Sequence, residues 1–403
     1  DGTITFGSPV VFNASTTTYI SCAFDSTQEK VVIAYRDGGD SNTGKAIVGT
    51  VSGTSISFGS ETQFTTNNNS SIYITNTFDS ANGKIVIAFQ HNSGSGGDKG
   101  YAVVGTVSGT SISFGSTLYA FNNAGSKFMS STYDVLNGKV IIAYQDDGDS
   151  NIGKAVVGTV DGTAITFGNE LQYSQGSNDI PKMSITSTNG KVIIAFIDNN
   201  DSNKCKAIVG TVSGSSITFG SEMVVNSNSS NYPQVIVDNQ STAIGGGKVI
   251  AIVNTDTVLE GITLQVGSLV GSTVSFGSTH LLTDPYASNG YLSLTYDPDT
   301  NQSVLSYRDE LGSSNYGTSV VFKTNTLSAN LTAENYIGMA AEAISSGATG
   351  RVNVVSGVNS GQTGLTTART HYLLNDGSLS TSSADPLVVA GTAVSGTKII
   401  VKG

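Results

Sequence analysis

Arg36 and Arg308 are the two arginines within residues 1–326, and each immediately precedes an aspartate, Asp37 and Asp309. A guanidinium is a planar donor matched to carboxylate or phosphate, so two of them on an acidic chain can form a local anion site. The aspartate position recurs at Asp146 and Asp198, with His91 and Asn254 in its place elsewhere; Gln90, Gln145, Ile197 and Val253 stand where the arginine does not. A second series is aromatic: Tyr19, Tyr73, Phe128, Tyr232 and Tyr291, with Pro181 at the remaining place. Rings stack on the C–H faces of sugars, and carboxylates accept hydrogen bonds from sugar hydroxyls. The pattern points to recognition of a ligand at Arg36, Arg308, Asp37, Asp309, Tyr19, Tyr73 and Tyr291. The competing reading is architectural. A residue type repeated at one position serves the repeat, aspartate by capping turns and rings by packing on each other. The arginines would then form exposed ion pairs with Asp37 and Asp309, which contribute little.

Other chemistries find less support. His91, His280 and His371 lie in different parts of the chain without metal-ligand spacing. No nucleophile elbow, Walker loop or dinucleotide fingerprint occurs in a strand-to-helix setting. The loops "DGGDSN", "DDGDSN" and "DNNDSN" offer oxygen ligands to Ca2+, but they depart from the D-x-D-x-D-G pattern and lack its distant glutamate. Solvated acidic turns are the alternative. Asp25, Asp79, Asp134, Asp238 and Asp297 form a further recurrent series, read as turn formers.

The elements that carry these residues repeat. Phe-Gly followed by Ser or Asn has its Phe at 6, 58, 114, 167, 219 and 276, spacings of 52, 56, 53, 52 and 57. Such a period denotes a repeated supersecondary unit. Each unit holds four β-branched and aromatic runs, in the first "YISCAFD", "KVVIAY", "KAIVGTV" and "SISFGSETQF". Ser52-Gly53, Ser108-Gly109, Asp161-Gly162 and Ser213-Gly214 read as hairpin turns. "KVVIAY" is apolar nearly throughout, as a strand buried on both faces is when one small sheet stacks on the next. Four-stranded antiparallel units of this length predict an all-β fold, a six-bladed β-propeller over residues 1–326. The sixth unit lacks a Phe-Gly run, and "TITFGSPVVF" at residues 3–12 has no partners, so the N-terminal strand is expected to complete the last blade and close the ring. Residues 327–403 abandon the repeat and predict a small β-rich C-terminal module; a seventh blade made from this tail is the structural rival.

Composition narrows the function classes. Net charge is −11 and charged residues are 12% of the 403, which disfavours nucleic acid and anionic membrane surfaces as partners. No apolar run approaches bilayer length, so no membrane insertion is expected. Cys22 and Cys205 fall at non-equivalent places in distant repeats and are expected to be free thiols. Sialidases are six-bladed propellers that hold a carboxylate with three arginines and carry Trp-containing repeats. Two propeller arginines and no Trp argue against that activity, and the chain is expected to be non-enzymatic.

The stretches "ENYIG", "SGQTGLTTARTHYLLNDGSLST" and "AGTAVSGTKIIVKG", about 75 residues, resemble a module near the end of marine bacteriophage structural proteins, those of cyanophages among them. The "GKAVVGTV" and "GTSISFGS" wording is similar to that of marine phage and bacterial propeller proteins. The resemblance implies a virion surface protein such as a tail fibre or adhesin. Its partners would be other virion proteins and a host-surface glycan. A ligand-free decoration protein and a secreted bacterial carbohydrate-binding propeller are the alternatives.

Overall fold

The computed structural model describes residues 4–65, 70–92, 97–174, 183–242, 248–257, 259, 261–277, 279–282, 291–309, 316–324, 339–341, 351–354, 356–373, 378–382 and 388–402. The first repeat is an antiparallel sheet of β1 (Thr17–Asp25), β2 (Lys30–Asp37), β3 (Thr43–Ser52) and β4 (Ser55–Phe58), with β5 (Thr62–Gln63) also on β3. β2 alternates between two cores. Val32 and Ala34 pack toward the second repeat, whereas Ile33 and Tyr35 pack toward Phe12 and Phe58 on the other side. This is why the run is apolar without alternation.

The second repeat comprises β6 (Ser70–Asp79), β7 (Lys84–Asn92), β8 (Lys99–Ser108), β9 (Ser111–Phe114) and β10 (Tyr119–Asn122). The third comprises β11 (Ser126–Asp134), β12 (Lys139–Asp146), β13 (Ile152–Asp161), β14 (Ala164–Phe167) and β15 (Leu171–Gln172). The fourth has β16 (Met183–Thr188), β17 (Lys191–Asp198), β18 (Lys204–Ser213) and β19 (Ser216–Phe219). A 20-residue strand, β20 (Met223–Thr242), then passes into the fifth, with β21 (Lys248–Asp256), β22 (Gly261–Val270), β23 (Thr273–Phe276) and β24 (His280–Leu282). The fourth and fifth repeats therefore form one nine-stranded sheet rather than two separate ones. The sixth has, among the described residues, β25 (Ser293–Asp297), β26 (Gln302–Asp309) and β27 (Tyr316–Phe322). Pro181, expected to open the fourth repeat, lies outside the described residues. Each core sits between successive repeats. Val86 and Val104 of the second meet Ile142, Val160 and Ile165 of the third, and Ile193 and Val209 of the fourth meet Ile252, Leu269 and Val274 of the fifth.

The Phe-Gly marker has a packing cause. The expected fourth strand, 55–64, breaks at Gly59 into β4 and β5. A Cβ on Gly59 would lie 1.8 Å from the carbonyl oxygen of Thr110, in the turn of the next repeat. Only glycine admits that approach. The N-terminal run makes the same contact: a Cβ on Gly7 would lie 1.6 Å from Thr54 O. Residues 4–16 nevertheless form no strand ladder, contrary to the strand expected at 3–12, and Phe6 and Val11 are exposed.

The chain divides into two compact units, residues 1–241 with 248–324, and 242–247 with 325–403. The second holds β28 (Met339–Ala340) on β29 (Val352–Asn353). Its main sheet runs in the order β30 (Val358–Asn359), β34 (Lys398–Val401), β33 (Val389–Ser395), β31 (Thr370–Leu373), β32 (Leu379–Ser380). Its core is Leu365, Ala390, Ala393 and Ile399.

Candidate functional site

The aromatic series occupies one unusual backbone position. Tyr19, Tyr73, Phe128, Tyr232 and Tyr291 all have left-handed φ, between 48° and 63°. For Tyr19, Tyr73 and Phe128 the register of the first strand shifts at that point, a β-bulge. Holding a non-glycine residue there costs about 1–2 kcal/mol each. The bulge sets the rings against one another. Tyr19 meets Tyr73 at 5.3 Å between centroids, Tyr73 meets Phe128 at 5.1 Å, and Tyr232 meets Tyr291 at 5.9 Å. First strands of neighbouring repeats therefore touch through aromatic edges. The architectural reading of the series holds for Tyr73 and Phe128, both half-buried, Tyr73 between Tyr19 and Phe128 and Phe128 against Tyr73. It is incomplete at the ends: Tyr19 is 36% exposed and Tyr291 70%.

Those two exposed rings carry the arginines. The Arg36 guanidinium lies 4.9 Å from the Tyr19 centroid, and that of Arg308 lies 5.3 Å from the Tyr291 centroid. Arg36 also donates Nε–H to Thr18 Oγ1 at 2.8 Å. The expected ion pair with Asp37 is replaced by this stacking. The Asp309 side chain lies outside the described residues.

Asp37 belongs to a different structure. Its Oδ1 accepts the Gly39 amide at 2.9 Å, and its Oδ2 pairs with Lys45 Nζ at 2.9 Å. Lys45 also reaches Asp40 at 3.0 Å and Glu61 at 2.7 Å. The third repeat copies this with Lys154 on Asp146, Asp149 and Glu170, and the fourth with Lys206 on Asp198, Asp201 and Glu222. Burial pushes the Asp37 carboxyl up, but the hydrogen bonds from Lys45 and Gly39 outweigh it and hold it below the usual aspartate value. Asp146 is depressed by the same balance, with Lys154 as the main donor. The loops considered for Ca2+ thus present their carboxylates to an ammonium. Among the described residues no group of three or more acidic, His or Cys side chains is disposed to hold a metal.

The fifth repeat corrects the alignment. Gly267 pairs with Phe276 and Ile250 as Gly49 pairs with Phe58 and Val31. Thr255 and Asp256, not Val253 and Asn254, therefore take the places of Arg36 and Asp37, two positions further along β21. Asp256 is 1% exposed and accepts from the side-chain amides of Asn226 and Asn228. The separate series at Asp25, Asp79, Asp134 and Asp297 caps turns, with Asp25 Oδ1 accepting the Thr27 and Gln28 amides.

The lysine nodes were not singled out from sequence, although a signal exists. Lys45, Lys154 and Lys206 occur in the repeats that have Glu61, Glu170 and Glu222 three residues after the marker Phe. Where the lysine becomes Tyr101 or Thr263, the glutamate becomes Thr117 or Thr279. Cys22 and Cys205 are unpaired, exposed and buried respectively. A groove of about 440 Å³ opens between outer strands of the third and fourth repeats, lined by Leu171, Tyr173, Phe219 and Glu222.

No protein-family model matches the chain, and no curated protein matches it. Solved structures do. A Hadza microbial sialidase, Hz136, aligns with TM-score 0.50 at 13% identity over 76% of this chain and 66% of that one, so the chain spans just under two thirds of it. The BP39L lectin from Burkholderia pseudomallei aligns with TM-score 0.51 at 11% identity over 76% of this chain and 82% of the lectin. At such identities the likeness is one of fold. The chain is all-β, built of several four-stranded antiparallel sheets that match propeller-fold lectins and sialidases.

Proposed function

We propose that the chain is a non-enzymatic carbohydrate-binding β-propeller whose ligand docks at the exposed ends of the aromatic series, Tyr19 and Tyr291. The observation that carries this reading is the coincidence of exposed ring and stacked guanidinium in those two repeats alone, while the inner rings pack on their neighbours. An exposed ring beside hydrogen-bond donors is what a pyranose needs, one C–H face for the ring and hydroxyls for the donors. The repeated aspartates are engaged by lysine or turn amides, which supports binding over hydrolysis. The propeller lectin likeness supports the same class.

In this reading the propeller has six blades. Residues 6–12 serve as the outer strand of the sixth, because they lie on the first repeat as 58–64 lie on the second. Phe12 packs on Tyr35 and Phe58, as Phe64 packs on Phe89 and Phe114. The side of the first repeat that awaits the sixth is open: Val51 is 53% exposed, whereas its counterparts Val107, Val160, Val212 and Leu269 are 4–6%. The resemblance of the C-terminal wording to cyanophage proteins would put such a lectin on a virion surface, bound there to other virion proteins. The fold likeness favours a secreted bacterial lectin as readily.

Screening the whole chain on a glycan array, followed by titration of hits against Tyr19→Ala and Tyr291→Ala, tests the proposal. Binding lost in both variants supports it. Binding retained in both moves the site to the groove at Tyr173 and Phe219. No binding at all leaves the ligand-free decoration role, and turnover in a polysaccharide hydrolase screen overturns the non-enzymatic reading.

A further inference from the structure

We infer that the propeller opens and closes at one seam, between the sixth repeat and the first, with residues 4–16 as its strap; this rests on the six-bladed reading above. Side chains of the first repeat mark the seam. Ile20, Phe24 and Val51 are 54%, 56% and 53% exposed. Ile74, the counterpart of Ile20, and Tyr133 and Val237, counterparts of Phe24, pack on the preceding repeat and are 4–7% exposed. The sixth repeat holds the fifth, with Tyr291 on Tyr232 and Thr324 Oγ1 donating to Asp238 Oδ2 at 2.6 Å. Its other side is built to dock less firmly. In the first four repeats a cross-strand pair of alanines faces the next repeat: Ala34 with Ala46, Ala88 with Ala102, Ala143 with Ala155, Ala195 with Ala207. The same register position in the sixth holds Ser306 and Ser319, whose hydroxyls bond each other at 2.8 Å. Closing the seam presses them against the apolar side of the first repeat. Each hydroxyl then keeps one bond and loses the water that served its other sites, a cost alanine does not carry. Phe322 also stands where glycine receives the marker phenylalanine in the other five repeats, so Phe6, 73% exposed, lacks that seat. The strap holds through Phe12 on Tyr35 and Phe58. A closure with two buried hydroxyls and a noncovalent strap gives way while the remaining repeats stay folded.

Cys22 makes the seam readable. In two interior seams the residue two past the bulge aromatic touches the residue three past the bulge aromatic of the next repeat. Ser21 Oγ lies 2.7 Å from Asn76 Oδ1, and Thr75 Oγ1 lies 2.9 Å from Ser131 Oγ. Across the closing seam the corresponding pair is Ser293 and Cys22. S293C treated with oxidised glutathione should therefore form an intrachain disulfide with Cys22, read by peptide mass spectrometry on the monomer. In the wild type the exposed Cys22 should react with a maleimide without denaturant, and the buried Cys205 only on unfolding. S306A/S319A, which restores the alanine pair of the sister repeats, should slow Cys22 labelling roughly tenfold, and F12A should speed it by a similar factor. If the disulfide forms but wild-type Cys22 labels as slowly as Cys205, or S306A/S319A leaves its rate unchanged, the inference is overturned and six blades stand. Absence of the disulfide, or one that links two molecules, overturns both.

Discussion

Phe12 meets Tyr35 edge-on at 5.3 Å, close to the way Phe64 meets Phe89, tilted, at 5.2 Å and Phe121 meets Tyr144, edge-on, at 5.1 Å. In the latter two pairs an aromatic at the end of one repeat's outer strand seals it to the second strand of the next. Phe12 has no repeat of its own, and in the six-bladed reading proposed above it seals the first repeat on behalf of the sixth. If that reading is right, deleting residues 1–14 should uncover Tyr35 and remove the segment proposed to cover β27. The expected outcome is a lowered melting temperature with aggregation, followed by scattering. Phe12→Ala should also lower stability, by about 2 kcal/mol, since the ring is half-buried. An unchanged, monomeric truncated chain would show that the N-terminal run is not part of the ring.

Gly7 and Gly59 give a matched pair. Each sits where a Cβ would collide with a backbone carbonyl of a following turn, Thr54 O for Gly7 and Thr110 O for Gly59. Gly59→Ala should cost about 3 kcal/mol, since neither partner is a flexible side-chain end. If the N-terminal run is an outer strand in solution, Gly7→Ala should cost a similar amount in denaturant unfolding. A cost at Gly59 alone would mean that the N-terminal contact is dispensable.

The lysine nodes set a pH range. The folded pKa of Asp37 and Asp146 lies below the ordinary 3.8, so their contribution is present above that value and is lost as pH falls through the folded value. Burial pushes Lys45 and Lys154 down, but their carboxylate partners outweigh it and raise both above 10.5, so the lysine contribution is present below that pH and is lost on passing the raised value. Stability from the nodes should be flat from about pH 4 to pH 10 and fall outside. Lys154→Met, which leaves Asp146 buried without its cation, should cost about 3 kcal/mol at pH 7. The difference from wild type should shrink below pH 4, where Asp146 protonates, in thermal melts taken across the range.

His371 is the equivalent keystone of the second unit. It is 2% exposed, its Nδ1 lies 3.1 Å from Arg369 O, and its Nε2 accepts the Thr366 amide at 3.2 Å. Nδ1 therefore carries the proton and donates to the carbonyl. His371→Ala would orphan both backbone groups and leave a void, at about 3 kcal/mol. Hydrogen exchange should accelerate within residues 388–402, with no change in β2, β7 and β12. Acceleration in those strands as well would mean that the two units unfold together.

The repeat was legible because it is local. Period, strand runs and hairpin turns depend on residues within a few positions of one another, and Ser52-Gly53 or "KVVIAY" states its role without the remainder of the chain. The bulge at Tyr19, Tyr73 and Phe128 was not legible, because nothing in an aromatic residue announces left-handed φ. The pairing register of β21 was equally hidden, and without it Asn254 was taken for the position of Asp256, two residues further on. Pairing register is settled between strands, not within one.

Sequence alone determined that the chain is a series of antiparallel four-stranded units, that it is acidic, and that two arginines precede the repeated aspartate. Composition and short-range pattern suffice for those statements. The tertiary structure alone decided which charge meets which. Lys45, eight residues beyond Asp37, folds back across the β2–β3 hairpin and takes the carboxylates that Arg36 might have been expected to hold. Arg36, displaced from its neighbour, stacks on Tyr19 from the adjacent strand. Both choices are made by side chains brought together across strands, where a few ångströms decide the partner and sequence distance carries no information.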